Sequence, residues 1–558
     1  MVRATFSGFN TALSALQANQ KRLDITGQNL SNMNTAGYTR QQLEASSLNY
    51  TNPVSHYSNG NETAVGFGVS MDRVSQIRDP YLDIQYRSQS ADCSYTNRLQ
   101  TALNSLSKVL DETTISGIRQ AFDDIQSTLT SMQDPAKVSD PIYESELRTK
   151  MQSVCNLFNQ ASRQISQAEQ NEFQRLTGEG SSEQGDVQKI NDILRQIGDL
   201  NVQIKRNQVA GHPSLELQDE RNLLLDELSG YIPVETRYYK DDAHSGNNAY
   251  DYDANGAVIG KKDWPDDLEV SMNYIDAQGK SQKLILVNGS DLGADGLTKN
   301  YGQLSMLKGD HQTAASVSDP ANISIKFEKA PSYQVNGQAA ADVYAELKGI
   351  HFEGGSLQAS LDMLQKKGTG NVIKGSTAVD DVRGYQYYSE KLDQLALTFA
   401  ESMNKINNGN KNPKDQNLLS NSTDDSTNNI TAGNIGISKG WTSGTVHIST
   451  DGTNRTDTIL DMIAAMKDTK KLNGKTFADY MNNLSTQLAS DSSSNQTALK
   501  TGTTVLNSIQ DSRDSLSGVS LDEEATNMMA YVSAYNAASR LMTALDEVLN
   551  TLISNTGA

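Results

Sequence analysis

Apolar residues at the start of this chain recur at alternating spacings of three and four: Phe6, Phe9, Leu13, Leu16, Gln20, Leu23, Gly27 and Leu30. This is the seam of an α-helical coiled coil, whose 3.5-residue repeat keeps one stripe against a partner helix. The far end has the same rhythm in Leu521, Met528, Tyr531, Tyr535, Ala538, Met542, Leu545, Leu549 and Leu552. Two termini that both seek a helical partner predict a chain that assembles with copies of itself or its relatives. Gln20 and Gly27 weaken the first seam as a lone coiled coil. A helix of about 28 residues, about 42 Å long, is marginal without a tertiary core. Residues 4–32 and 520–553 are therefore expected to be largely disordered in the isolated chain. They become helical in an assembly, whose contacts offset the ordering entropy.

Between the termini the period changes twice. After a mixed stretch with short extended pieces (Val65 to Val74), Pro80 is placed to open a helix. Residues 81–131 read helical, as do 141–177, the run Ile190, Ile193, Ile197, Leu200, Ile204, and 215–229. Gly178 to Gly185 and Gly211-His212-Pro213 separate them. From Tyr231 the texture is β: Val234–Tyr239, Leu268–Tyr274, Leu284–Val287, Ile323–Phe327 and Val343–Leu347, divided by Gly, Asn and Asp clusters. Helical spacing returns with Tyr385, Tyr388, Leu392, Leu395, Phe399, Met403 and Ile406, then over 457–469 and from about 475 to 516. Thr445–Ile448 reads as a possible strand. Ser520-Leu521-Asp522-Glu523 is a capping box before the last helix.

The fold class expected is mainly α with an inserted β domain (α+β multidomain). It is an elongated antiparallel helical bundle with N- and C-terminal coiled-coil helices pairing, plus a mostly antiparallel β domain. The domains are 1–41 with 520–558 for assembly; 42–230, 385–408 and 475–519 for the bundle; and 231–355 for the β insertion. Residues 356–384 are a connecting segment, and 409–474 a polar loop or small satellite domain. The length, 558 residues, suits roughly three or four domains. With hydrophobic content of 36% and aromatics at 6%, the core must be spread along helices.

The formal charge of −19 excludes nucleic acid as a natural partner, since phosphate binding needs clustered Lys and Arg. It equally disfavours an anionic membrane surface. No apolar run approaches the about 18 residues of a membrane span, so no membrane insertion is expected. Met1 to Phe6 has no apolar stretch of the secretory kind. Cys93 and Cys155 lack Cys-x-x-Cys spacing; they read as two buried thiols, with a disulfide left open.

Constellations for catalysis are weak. The six histidines are scattered with no metal-ligand spacing, and Gly66-Phe67-Gly68 and Gly178-Glu179-Gly180 lack the rest of a dinucleotide fingerprint. Asp251-Tyr252-Asp253-Ala254-Asn255-Gly256 matches the start of a Ca²⁺ loop, but Lys262 stands where a bidentate Glu is required. A turn between strands explains it more simply. No enzyme, cofactor or metal is expected.

The N-terminal seam runs into Ile25-Thr26-Gly27-Gln28-Asn29-Leu30-Ser31-Asn32-Met33-Asn34-Thr35-Ala36-Gly37-Tyr38-Thr39-Arg40-Gln41. Asn32 can stop a helix, and Gly37 can take a left-handed turn at no steric cost. Together with the heptads, this stretch resembles the N-terminal signature of bacterial flagellar axial proteins, the rod, hook and hook-associated proteins. Three further stretches resemble the hook-associated branch: Val69 to Arg87, Leu217 to Ser229 and Ser517 to Glu524. In the second the branch favours an Asp-Gln/Glu-Arg-Asp core, and Asn222 replaces its last Asp. The resemblance covers about residues 1–87, 187–235, 385–408 and 500–555.

It implies a structural part of the flagellum forming the first junction ring between hook and filament. The implied partners are copies of itself in a helical ring, the hook protein and a second hook–filament junction protein. A flagellar export chaperone at the C-terminal helix and the type III export apparatus are implied as well. The implied location is extracellular, reached without a cleaved signal peptide. The residues expected at the assembly interface are Phe6, Phe9, Leu13, Leu16, Leu23, Asn29, Leu30, Asn32, Gly37 and Tyr38. At the other end they are Leu521, Met528, Tyr531, Tyr535, Met542, Leu545, Leu549 and Leu552. The alternatives are another hook or hook-associated protein, a secreted adhesin or enzyme on an axial-protein scaffold, and an unrelated coiled-coil scaffold.

Overall fold

Thirteen α-helices are described in a computed structural model of the chain, which describes residues 2–48, 68–110, 112–138, 140–240, 250–252, 258–261, 266–275, 281–290, 299–309, 313–331, 334–335, 338–339, 343–344, 352, 354–371, 379–409, 416–449 and 456–556. The termini form α1 (Val2–Ser31) and α13 (Leu521–Thr556). Between α1 and the bundle lies a hairpin, β1 (Gln41–Ser47) and β2 (Val69–Gln76), paired antiparallel. Then come α2 (Pro80–Val109), α3 (Glu112–Ser131), α4 (Pro135–Val138), α5 (Pro141–Thr177), α6 (Asp186–Val209) and α7 (Leu215–Tyr231).

Local chemistry sets these ends. Pro80 and Pro141 sit in first turns, where a missing N–H costs nothing. The Asp79 and Asp140 carboxylates each accept from the backbone N–H two residues on, both at 2.9 Å. Gly178 closes α5 at φ +76°. The stretch expected as one helix over 81–131 is two, parted after Leu110.

The strands are β3 (Glu235–Lys240), β4 (Tyr250–Tyr252), β5 (Val258–Lys261), β6 (Asp266–Ile275), β7 (Ser281–Asn288), β8 (Gln303–Lys308), β9 (Ile323–Glu328), β10 (Gln334–Val335), β11 (Gln338–Ala339) and β12 (Val343–Tyr344). All their described pairings are antiparallel, in the orders β3-β6-β7 and β12-β9-β8 with two small hairpins, β4-β5 and β10-β11. Residues 253–257 of the Ca²⁺-like stretch lie outside the described residues; what flanks them is the β4–β5 pair. Residues 345–347 of the expected Val343–Leu347 strand also lie outside.

This β region is not held apart from the helices. Leu268, Val270, Leu286 and Phe327 belong to the same buried cluster as the bundle. Asparagines of α6 stitch strand edges to it: Asn201 donates to the Leu268 and Gly289 carbonyls at 3.0 and 3.1 Å. Asn191 donates to the Leu304 carbonyl and accepts its N–H.

Two polar-looking segments also join the core. Residues 356–384, expected as a connector, contain α8 (Ser356–Gln365), whose Leu357, Leu361 and Leu364 are buried at helical spacing. After α9 (Tyr385–Asn408), residues 416–472 form the pair β13 (Leu419–Asn421) and β14 (Ile435–Ile437), then α10 (Lys439–Ser443), α11 (Asp457–Lys467) and a 3₁₀ turn Lys470–Leu472. They pack on α5, α9 and α3 instead of forming a loop or satellite. Trp441 is fully buried there, its indole N–H donating to Glu144 at 2.8 Å. Residues 445–448, read as a possible strand, belong to none.

The last bundle helix, α12 (Phe477–Ser517), runs along α2 back to the termini. Its Phe477 meets Phe122 and Phe399, each 5.6 Å away between ring centroids, while Phe158 lies edge-on to Phe122. Four phenylalanine rings from four helices thus meet within a core that also holds Leu, Ile, Val, Met and further aromatic side chains. Cys93 and Cys155 are free thiols, Cys155 fully buried with burial pushing its pKa up to about 12. No helix among the described residues is long and apolar enough to cross a membrane.

Candidate assembly interface

The terminal helices pair antiparallel. Gly8 lies against Leu545, Arg22 stacks over the Tyr531 ring at 5.7 Å, and Asn29 reaches Glu524, so each step along α1 is matched by an equal step back along α13. α13 uses the expected seam: Ala538 is buried, and Met528, Tyr531, Tyr535, Met542, Leu545 and Leu549 are half-buried. Leu521 and Leu552, expected on that seam, are exposed.

On α1 the expected stripe is not what closes the pair. The buried positions are Ala12, Ala18, Asn19, Ile25, Thr26 and Asn29. Small residues allow close approach to α13 on one face, while an adjacent face lies on the β1–β2 hairpin, where Ser14 Oγ accepts the Val69 N–H. The heptad stripe falls on the side of α1 turned away from the hairpin. Leu13 is 45% exposed, and Phe9, Leu16, Leu23 and Leu30 are half-buried. The Phe6 side chain lies outside the described residues. α13 likewise carries apolar residues beyond its seam, with Leu541 and Val548 exposed on one flank and Met529 and Val532 on the other.

The expectation of disorder treated each terminal helix as having no tertiary partner. In the structure each is the other's partner, and the signature pins their inner ends. Asn29 has no free polar atom. Its Oδ1 accepts from Tyr38 Oη at 2.9 Å and Gln41 N at 3.0 Å, and its Nδ2 donates to the Gln41 carbonyl at 3.0 Å and to Glu524 at 3.4 Å. Burial and the nearby Glu216, Asp219 and Glu524 carboxylates push the Tyr38 pKa up, keeping the phenol protonated as the donor. Gly37 takes φ +78° with Leu223 in contact, which a side chain there would strain. Asn32 stays at the helix end, donating to the Gln28 carbonyl.

The residues that tie this unit to the bundle were not singled out from the sequence, although Arg40, Arg78, Asp219 and Glu524 stand inside the motifs. Asp219 accepts from Thr39 N at 3.0 Å and Thr39 Oγ1 at 2.6 Å, with Arg78 at 3.8 Å. Arg78 also forks onto Asp83 at 2.5 and 3.2 Å. Arg40 pairs with Glu523 at 2.7 Å and Glu524 at 2.8 Å, so Glu523 faces Arg40 instead of serving as the expected cap. Arg513 of α12 bridges Asp83 and Asp226 at 3.1 and 2.7 Å and lies 4.2 Å over the Tyr86 ring. Arg87 pairs with Asp226 at 2.8 Å and donates to Asn222 at 3.4 Å. The neutral Asn222 meets an arginine that already has its carboxylate. Apart from the near neighbours Arg78 and Asp83, these are polar or charged partners far apart in the chain, which periodicity does not join.

Burial pushes the Asp219 pKa up to about 6, outweighing the Thr39 hydrogen bonds and the Arg78 charge. The folded state therefore holds a proton that the unfolded chain releases near 3.8. Stability from this carboxyl is greatest below that pH, falls as pH rises towards 6, and stays reduced above it. Asp219→Asn removes the titration and turns an amide N–H₂ towards a donor of Thr39. Its stability deficit, followed by thermal melts, is expected to be largest near pH 4. It should shrink by on the order of 2–3 kcal/mol by pH 7. A deficit that grows with pH would mean that Arg78 and Thr39 outweigh burial.

Among the described residues no group of His, Cys, Asp or Glu could hold a metal ion. The comparisons match both this interface and the bundle. Residues 103–415, more than half of the chain, match the family "Flagellar hook-associated protein FlgK helical domain". Residues 9–39 match "Flagella basal body rod protein", and 512–555 match "Flagellar basal body rod FlgEFG protein C-terminal". Flagellar hook-associated protein 1 of Bacillus subtilis (strain 168) is 28% identical over 568 residues, covering 99% of each chain. The protein of that name from Salmonella typhimurium (strain LT2) is 29% identical over 40% of this chain and 38% of its own. A solved structure titled as the flagellar hook junction protein FlgK from Burkholderia pseudomallei aligns at TM-score 0.37 and 19% identity. It covers 61% of this chain and 44% of that one.

Proposed function

Because the chain belongs to the flagellar hook-associated protein FlgK family, we propose that it forms the first junction ring between hook and filament, as a structural and not a catalytic component. The observation that carries this reading is the pair of terminal helices with apolar surface left over after they have paired. The α1 stripe at Leu13 and both flanks of α13 have no partner within the chain's described residues. A helix that is apolar beyond one face is built for more than one neighbour. Copies stacked in a helical ring would cover these faces, with hook protein below and a second junction protein above.

The same surface would need covering before assembly, a role for an export chaperone on α13. In the assembled tube, neighbouring copies would add to the order that α1 and α13 already give each other. The formal charge of −19 keeps free copies apart until helix burial outweighs repulsion. Export through the type III apparatus to the cell exterior completes the reading.

Electron microscopy of flagella from the native organism, with and without this gene, tests it. Bare hooks, with filament subunits lost to the medium, are the expected result. Intact filaments on the deletion strain would overturn the junction role and bring forward an adhesin carried on an axial scaffold.

A further inference from the structure

The joint between the terminal unit and the bundle is built differently from everything on either side of it. Broad packing stays within each part: α1 on α13 and on the hairpin, and the bundle helices on one another. Three passages of chain cross between them, residues 32–40, 77–79 and 517–520. None contributes a side chain to the buried apolar core. Directional polar contacts cross instead: Thr39 and Arg78 on Asp219, Gln41 on Glu216 at 3.2 Å, and Gln76 on the Leu215 carbonyl at 2.9 Å. A cleft of about 300 Å³ opens beside them, lined by Gly37, Ser517 and Gly518 of the passages and by Tyr86, Leu223 and Arg513 of the bundle.

One residue touches all three passages. The Arg40 N–H donates to the Ser517 carbonyl and its carbonyl accepts the Ile77 N–H, both at 2.9 Å. Its guanidinium spans Glu523 and Glu524 at the start of α13. Glu524 in turn meets Asn29 at the end of α1.

We propose that this joint is a clamped hinge, with Arg40 the positioning residue that holds the terminal helices at one angle to the bundle. Asp219 is the second latch, on the bundle side. A joint made of directional contacts has one arrangement while they hold, and swings about its chain passages once they break. An apolar interface would slide against residual packing instead. The terminal unit thereby changes direction without unfolding the bundle.

The test uses the full-length chain in a Cys93→Ser background, with nitroxides at Ala530→Cys on α13 and Gln496→Cys on α12. Both sites are exposed. Electron–electron double resonance should give one narrow distance distribution. It is expected to widen at least twofold in Arg40→Ala/Asp219→Ala and in Glu523→Gln/Glu524→Gln, with Arg40→Lys intermediate. It should widen also in the otherwise unsubstituted labelled chain near 1 M salt, where screening acts within about 3 Å. A bundle pair, Gln496→Cys with Thr149→Cys, should stay unchanged throughout. A width unaffected by substitution and salt, or one already broad before either, overturns the clamp. If a substitution also broadens the bundle pair, the salt series decides. These distances are read on free chains, so the hinge and the junction role fail separately.

Discussion

Leu545→Asp is expected to abolish filament attachment at hook tips while leaving the bundle's melting temperature unchanged. Both terminal methyls of Leu545 sit 3.5 Å from where a Cβ on Gly8 would stand, so the side chain fills the space that the small α1 residue leaves. Among the described residues a carboxylate there has no cation opposite, so it would stay charged against α1 or push the helices apart. The cost, on the order of 2–4 kcal/mol per chain, recurs at every subunit of a ring.

Leu13→Asp separates the two layers of the reading. Leu13 is 45% exposed, so this substitution should leave the free chain's helix content unchanged and still prevent assembly. Circular dichroism of the free variants and micrographs of complemented cells give both readouts. Normal filaments with either variant would refute the assignment of these faces to assembly.

Arg98→Ala is expected to be the most damaging change within the bundle, at about 3–5 kcal/mol. Arg98 of α2 forks onto the Glu172 carboxylate of α5, its Nε donating at 2.9 Å and its Nη2 closing the second arm. Both side chains are below a tenth exposed. Ser360 of buried α8 accepts from Arg98 and from Arg175, and Arg175 donates to Glu172 at 3.1 Å. Removing Arg98 leaves Glu172 buried with only the half-exposed Arg175 beside it.

Burial already raises the Glu172 pKa, more strongly than Arg98 lowers it. Without Arg98 that pKa should climb further, so the penalty shrinks as pH falls and Glu172 takes up a proton. Urea unfolding of Arg98→Ala, Glu172→Ala and the double variant between pH 4 and pH 8 checks this. The double variant should cost less than the sum of the singles. Additive costs with no pH dependence would show that the pair is not coupled.

Asp79-Pro80 and Asp140-Pro141 open helices where local chemistry says they should, because a proline at the first turn and a capping carboxylate act within one turn of chain. The α13 seam from Met528 to Leu549 was legible for the same reason: a helix's buried stripe is its own period. The α1 stripe was read with the right period, but the structure buries Ala12, Ala18 and Ile25 beside it. Small residues carry little weight in an apolar count, and yet they decide how closely two backbones approach.

Residues 356–384 and 409–474 were too polar on average to look like core. Leu357 and Trp441 are nonetheless fully buried, because a neighbour supplies what each short segment lacks. The β insertion was recognised as β, but its seating on α6 through Asn191 and Asn201 depends on side-chain amides meeting strand carbonyls.

The long helices, the proline-led starts at Asp79 and Asp140, the heptad rhythm of both ends and the family signature could be read along the chain, because each is written in neighbours a few residues apart. Which faces of α1 are closed, and that Arg40 answers Glu523 and Glu524, follow from the packed molecule alone. So does the pairing of Asp219 with Thr39. Those are pairings between groups up to hundreds of residues apart, chosen by backbone geometry and by the cost of leaving a buried charge unpaired.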